Sequence, residues 1–208
     1  MKLLLASNGG FLINQGYKLL SISKEETKIG YVTTASKGVN DLRYLDWHKN
    51  DMRVNGLNFE EIDIEGKTEK ELREFFKDKN VIHVEGGNTF YLLKAVKETG
   101  FDKLIKEFIN KGKVYVGTSA GAYIACPTIE VATWGPKVWD NYGLKDFTAL
   151  NLIPFVLLVH YTKEKEEWVK KETTNTQYPV RILRDGQGIL VEDKKYIFVG
   201  EGEEVILK

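Results

Sequence analysis

The stretch Lys113-Val-Tyr-Val-Gly117-Thr-Ser119-Ala-Gly121-Ala places a serine midway between two glycines at the end of a short apolar run. Those residue types, at the G-x-S-x-G spacing, suit nucleophilic acyl transfer. A serine on a sharp strand-to-helix turn projects clear of the sheet, and a side chain two positions before or after it would collide with strand or helix. The hydroxyl then sits at the positive amino end of the next helix, where the backbone N–H of Ala120 can receive a developing oxyanion. The bland alternative is a tight crossover in which Ser119 merely caps that helix.

A nucleophilic serine needs a base, and the chain has three histidines. His48 lies in the charged helical run DWHKND and is expected to face solvent. His83 lies inside VIHVEG and is expected to be a buried, hydrogen-bonded structural residue. His160 closes the apolar run IPFVLLVHYT, so it falls at a strand end, where active-site residues of parallel sheets collect. It is therefore the candidate base. A second oxyanion donor calls for backbone that can approach closely, and VEGGNTF supplies Gly86 and Gly87. Asn88 is placed to cap the helix beginning at Thr89 and is also a candidate substrate-binding residue. A glycine turn made only to start that helix is the competing reading.

The elements that would position these groups follow from hydropathy. Short apolar runs at 2–7, 28–34, 58–64, 80–86 and 113–119 predict buried strands. Helices are predicted over 40–55, over 68–79 with a Thr68/Glu71 capping box, and over 89–111 with a break at Gly100. This alternation implies βαβ units and a mainly parallel sheet covered on both faces. After a helical patch at 163–172, the tail VRILRDGQGILVEDKKYIFVGEGEEVILK predicts a β-meander on the sheet edge. With 208 residues and 42% hydrophobic content, one α/β domain over 1–208 is expected.

Thirty basic and thirty acidic side chains cancel, so no overall field favours nucleic acid or an anionic membrane surface, and a small-molecule partner is expected. The single cysteine, Cys126, excludes an internal disulfide and reads as a buried apolar side chain. The opening MKLLLASNGG is too short in apolar residues for a signal-peptide core, and no later run approaches a membrane span, so a cytoplasmic location is expected. The histidine and cysteine positions have no zinc-like spacing, and the chemistry requires neither metal nor cofactor.

Taken together, LLLASN, EGGNTFYLLK at 85–94, YVGTSAGAYIACPTIE at 115–130, FTALNLIPF at 147–155 and HYT at 160–162 resemble the peptidase E (alpha-aspartyl dipeptidase) family of serine peptidases, to which cyanophycinase is related. The resemblance implies a three-layer α/β sandwich like that of class I glutamine amidotransferases. It also implies Ser119 as nucleophile, His160 as base, an oxyanion hole from the N–H groups of Gly87 and Ala120, and a small peptide as substrate.

Two positions for the triad's acid follow from the resemblance. In the loop after CPTI the dipeptidases carry an Asn-Asp pair, where this chain has Thr133 and Trp134. The other is the glutamate of a late L-P-E-G segment, matched here by LRDGQG, which nominates Asp185. Asp185-Gly186 is equally a natural hairpin turn. Recognition of an amino-terminal aspartate calls for an arginine, and the segment after His160 has none before Arg181. Two other readings stay open: a non-catalytic binding protein on the same fold, and a serine esterase of α/β-hydrolase type, whose acid precedes the histidine and would be Asp140 or Asp146. Trp47, Trp139 and Trp168 suit a homodimer contact, a substrate wall or the core.

Overall fold

Strand β1 (Lys2–Ala6) is apolar at four successive positions because both of its faces are covered: Leu3 and Leu5 enter one core layer, Leu4 and Ala6 the other. The computed structural model describes residues 1–136 and 140–207; Trp139 lies outside them. β2 (Lys28–Val32), β3 (Asn58–Ile62), β4 (Val81–Val84) and β5 (Val114–Thr118) join β1 in a parallel arrangement. The antiparallel pair β8 (Gln187–Glu192) and β9 (Lys195–Gly200) extends it, giving the order β3-β2-β4-β5-β1-β8-β9.

Helices cover both faces. α1 (Gly9–Asn14) and α2 (Arg43–Val54) pack Phe11, Leu12, Leu45 and Met52 onto Leu4, Tyr31 and Val116. On the opposite face lie α3 (Glu69–Phe76), α4 (Thr89–Thr99), α5 (Phe101–Asn110), α6 (Ala120–Ala125) and α7 (Glu166–Thr173), which share a core with Leu5, Val84 and Tyr115. The result is a three-layer α/β sandwich. The Thr68/Glu71 capping box forms in both directions, and Gly100, at φ 70°, ends α4 and starts α5 at the expected break.

The tail departs from a simple meander. β8 and β9 form the expected hairpin on the sheet edge, but β7 (Val180–Ile182) leaves it and pairs in parallel with β6 (Val156–Leu158) in a separate two-stranded sheet. The run ending at His160 is thus outside the central sheet. The reason lies in the core: Leu157, Val159 and Ile182 bury against the α4–α7 layer rather than beside β1. Among the described residues no helix is long and apolar enough to cross a membrane.

Candidate active site

The turn after β5 shows why its glycines are needed. Ser119 adopts φ 50° and ψ −106°, a conformation that costs a non-glycine residue energy and persists only where its surroundings hold it. A Cβ on Gly117 would lie 2.5 Å from the Gly121 carbonyl oxygen, and one on Gly121 would overlap the Val84 carbonyl. Both obstacles are backbone, so neither can step aside. The Ser119 N–H donates to the Ala6 carbonyl at 3.0 Å, tying the turn to the end of β1.

His160 is brought to this serine by the small sheet. Beyond β6 and β7 the pairing continues, with the Leu183 N–H donating to the Leu158 carbonyl at 2.8 Å and the Tyr161 N–H to the Leu183 carbonyl at 3.0 Å. His160, between those bonds, takes φ 56° and presents its ring to Ser119. Its Nε2 lies 2.9 Å from Ser119 Oγ, and its Nδ1 lies 2.7 Å from Asp185 Oδ1. An ionised carboxylate only accepts, so Nδ1 carries the proton and Nε2 is left to accept from the serine. The His160 hydrogen bond holds the Asp185 carboxyl below its usual range, with a bond from Ser7 adding to the effect against partial burial.

Asp185 sits on the turn between β7 and β8. Its neighbours clamp that turn: the Arg184 N–H donates to Gln187 Oε1 at 2.8 Å, and the Ser7 N–H to the Gln187 carbonyl at 2.9 Å. Sequence reasoning missed Ser7, which joins the arrangement twice. Its Oγ donates to Asp185 Oδ1 at 2.8 Å and accepts from the His160 N–H at 2.9 Å. The available signal was its position, a hydroxyl at the carboxyl end of the strand beside β5, one residue past Ala6, which registers with Thr118. Lys165 was also missed; its Nζ donates to the His160 carbonyl at 2.5 Å.

The alternative acids are engaged elsewhere. Asp146 pairs with Lys97 at 2.6 Å, and Asp140 caps the Tyr142 N–H at 2.8 Å. Arg181 grips Glu204 with two bonds, at 2.5 and 2.6 Å. Cys126 is fully buried, and burial pushes its thiol up to about 12, which keeps it from acting as a thiolate.

Gly87 approaches the site from β4. Its φ of 142° suits glycine, and a Cβ there would overlap the Ala35 carbonyl. The Gly86 N–H donates to Glu85 Oε1 at 2.6 Å and the Asn88 N–H to the Ala35 carbonyl at 2.9 Å, so the peptides on either side of the Gly87 N–H are pinned. As the first residue of α6, Ala120 has an N–H with no carbonyl to take inside its own helix. Asn88 corrects an expectation: its Oδ1 accepts from the Phe90 and Tyr91 N–H groups at 2.9 and 3.0 Å, its side chain is buried, and it does not line the cleft. It caps α4 and has no open face for a substrate.

A buried polar layer lies beneath the turn. His83, fully buried, bonds Tyr17 OH at 2.9 Å through Nδ1 and Thr118 Oγ1 at 3.0 Å through Nε2, as a structural histidine should. Burial lowers its pKa to about 4, so its 4.0 Å approach to Glu85 is no ion pair at neutral pH. The expectation for His48 fails. Its Nδ1 lies 3.1 Å from Glu85 Oε2 and its side chain is only 16% exposed, because the ring packs against the bare backbone of Gly9. Burial opposes its charge, but the bond and charge of Glu85 outweigh that and raise its pKa. Glu85 is correspondingly held ionised despite complete burial, with the His48 bond the main cause. Tyr31 OH also donates to Glu85, and Tyr44 OH donates to the Gly86 carbonyl at 3.0 Å.

Ser119 and His160 open into a cleft of about 440 Å³, walled by Trp134, Trp168, Phe90 and Val131. Of the three tryptophans singled out, Trp168 is thus a cleft wall and Trp47 is 64% exposed on α2.

The model for peptidase family S51 matches residues 3–199 of the chain. An uncharacterized peptidase of Pasteurella multocida (strain Pm70) is 34% identical over 179 residues, 85% of this chain and 86% of that protein. Peptidase E of Escherichia coli O1:K1 / APEC is 41% identical over 97 residues, covering 47% of this chain and 41% of the relative. The 1.5 Å crystal structure of a candidate peptidase E protein from Listeria monocytogenes EGD-e superposes with a TM-score of 0.85 at 30% identity, covering 97% of this chain and 98% of the other. A peptidase from an acI-B1 Actinobacterium shares the fold at a TM-score of 0.75 and 17% identity, covering 100% of this chain and 90% of that one. With a match over nearly its whole length and a serine, an imidazole and a carboxylate meeting at its cleft, the chain belongs to peptidase family S51.

Proposed function

We propose that this serine peptidase hydrolyses short peptides through an acyl-enzyme on Ser119, with His160 as base, Asp185 as its orienting acid, and the N–H groups of Gly87 and Ala120 as the oxyanion hole. The observation that carries this reading is the unbroken relay from Ser119 Oγ through both nitrogens of His160 to Asp185, opening on a cleft.

The chemistry follows from those distances. His160 Nε2 takes the Ser119 proton as Oγ bonds to the peptide carbonyl carbon, and the oxygen becomes an anion facing the two N–H donors. Asp185 stabilises the imidazolium so formed. Collapse of the tetrahedral adduct breaks the C–N bond, and the leaving amine takes the proton back from Nε2. Water then attacks the ester, giving its proton to His160, and the second collapse returns Ser119 and frees the acid. The intact Ser119–His160 bond speaks for catalysis over a purely binding role. The order His160 before Asp185 and the commitments of Asp140 and Asp146 speak against an α/β-hydrolase esterase.

Among the described residues that line the cleft none is an arginine, and Arg181 is committed to Glu204, so no described guanidinium supports aspartyl selectivity. The reading is therefore a short-peptide hydrolase in which Asp-X preference is not built in. The test is labelling by a fluorophosphonate probe with mapping of the modified residue. Labelling at Ser119, lost in His160→Ala, supports the reading; folded protein that resists the probe overturns it.

A further inference from the structure

Resting on that reading, we infer that the residue whose carbonyl is attacked carries an apolar, preferentially aromatic side chain, seated between Trp134 and Trp168. The inference starts from the loop after Cys126, where Thr133 and Trp134 follow one another. Thr133 is exposed and its hydroxyl is turned back onto the Glu130 carbonyl at 2.7 Å. Trp134 instead lines the cleft, half-buried.

A second indole comes from α7. Trp168 packs on the backbone of Gly135, where a Cβ would stand 3.1 Å from the indole; φ of 83° at Gly135 and the missing side chain together let the ring lie there. Phe90 and Val131 also line the cleft into which Ser119 and His160 open. Two indoles and a phenyl ring offer stacking faces and apolar area but no donor fork for a carboxylate.

Charge points the same way. Among the described residues that line the cleft none is a carboxylate, and Glu130, the acid next to Val131, is bonded to Thr176. The lining cation, Lys165, has its ammonium engaged by the His160 carbonyl. An aspartyl carboxylate placed against the tryptophans would lose its water without gaining a paired donor, which disfavours it strongly. A phenyl or isobutyl group in the same place gains from burial.

The experiment compares kcat/KM of the purified full chain on Phe-Leu, Leu-Leu, Ala-Leu and Asp-Leu, with Ser119→Ala as the blank. Phe-Leu is expected to exceed Ala-Leu by about 10-fold or more, and Asp-Leu to be the poorest. Trp168→Ala and Trp134→Ala are each expected to shrink the Phe-Leu to Ala-Leu ratio toward one. Because the ratio is taken on one preparation, a partly unfolded variant does not distort it. Asp-Leu turned over as fast as Phe-Leu, or a ratio untouched by both tryptophan variants, overturns the inference while the hydrolase reading stands. Fluorophosphonate labelling of Ser119 with no dipeptide turnover also overturns the inference alone. No labelling and no turnover overturns both.

Discussion

Ser7 Oγ touches both members of the His160–Asp185 pair, donating to Asp185 at 2.8 Å while accepting the His160 N–H at 2.9 Å, so the end of β1 fixes the spacing between imidazole and carboxylate. Removing this hydroxyl leaves the triad's own bonds in place but frees the Asp185 turn. Ser7→Ala is expected to lower kcat by about 10- to 100-fold, the scale of one lost hydrogen bond to a charged group, with KM little changed. Steady-state kinetics on one dipeptide checks it; a change in KM alone would contradict the positioning role.

Asp185→Asn removes the acceptor that sets the His160 tautomer. An asparagine can donate to Nδ1 and so leave Nε2 protonated, unable to take the Ser119 proton. A fall in kcat of about 10³- to 10⁴-fold is expected, against little change for Asp146→Asn, whose carboxylate serves Lys97. Measuring the two variants side by side distinguishes the acids.

The backbone at the turn predicts a stability effect. Gly121→Ala would push a methyl into the Val84 carbonyl, and a strand in the middle of the sheet cannot recede. A loss of about 1–3 kcal/mol is expected from denaturant midpoints. Gly135→Ala meets the Trp168 indole and the strain of its positive φ, so its expected effect falls mainly on the Trp168 wall and dipeptide preference.

The buried layer sets an acid limit. His83 titrates near 4 in the folded protein and near its ordinary value of about 6.5 when unfolded. Between those values the unfolded chain binds more protons, so stability present at neutral pH falls as pH drops from about 6.5 to about 4. Glu85, held below its usual range, adds loss further down as the unfolded carboxylate protonates first. His48 works the other way, its raised value contributing at low pH and fading as pH rises through it. Thermal melts from pH 7 to pH 4 should show a falling midpoint, with a shallower slope in His83→Gln.

Much of the site was legible because its requirements are local. A strand, a turn that tolerates no side chain on either side of Ser119, and a helix are written within nine consecutive residues, 113–121. The all-apolar run of β1 announced a strand covered on both faces, and the Thr68 and Gly100 signals marked helix ends correctly. The meander reading held for β8 and β9 and missed only the placement of 180–182, because alternating apolar residues there specify a strand without saying which neighbour it joins. His48 failed for a related reason: its charged flanks describe its own helix, whereas its burial is decided by Gly9, 39 positions earlier, and by Glu85 just past β4.

By itself, then, the order of residues determined the layers of the fold and named the serine and the imidazole, since hydropathy period and glycine placement act within a few positions. Only the tertiary structure placed Asp185, one of the acids the sequence offered, 2.7 Å from His160, bonded Ser7 to it and put two tryptophans on the cleft wall. Those roles depend on distances between residues 25 to 178 positions apart, set by strand pairing and core packing, which no local pattern encodes.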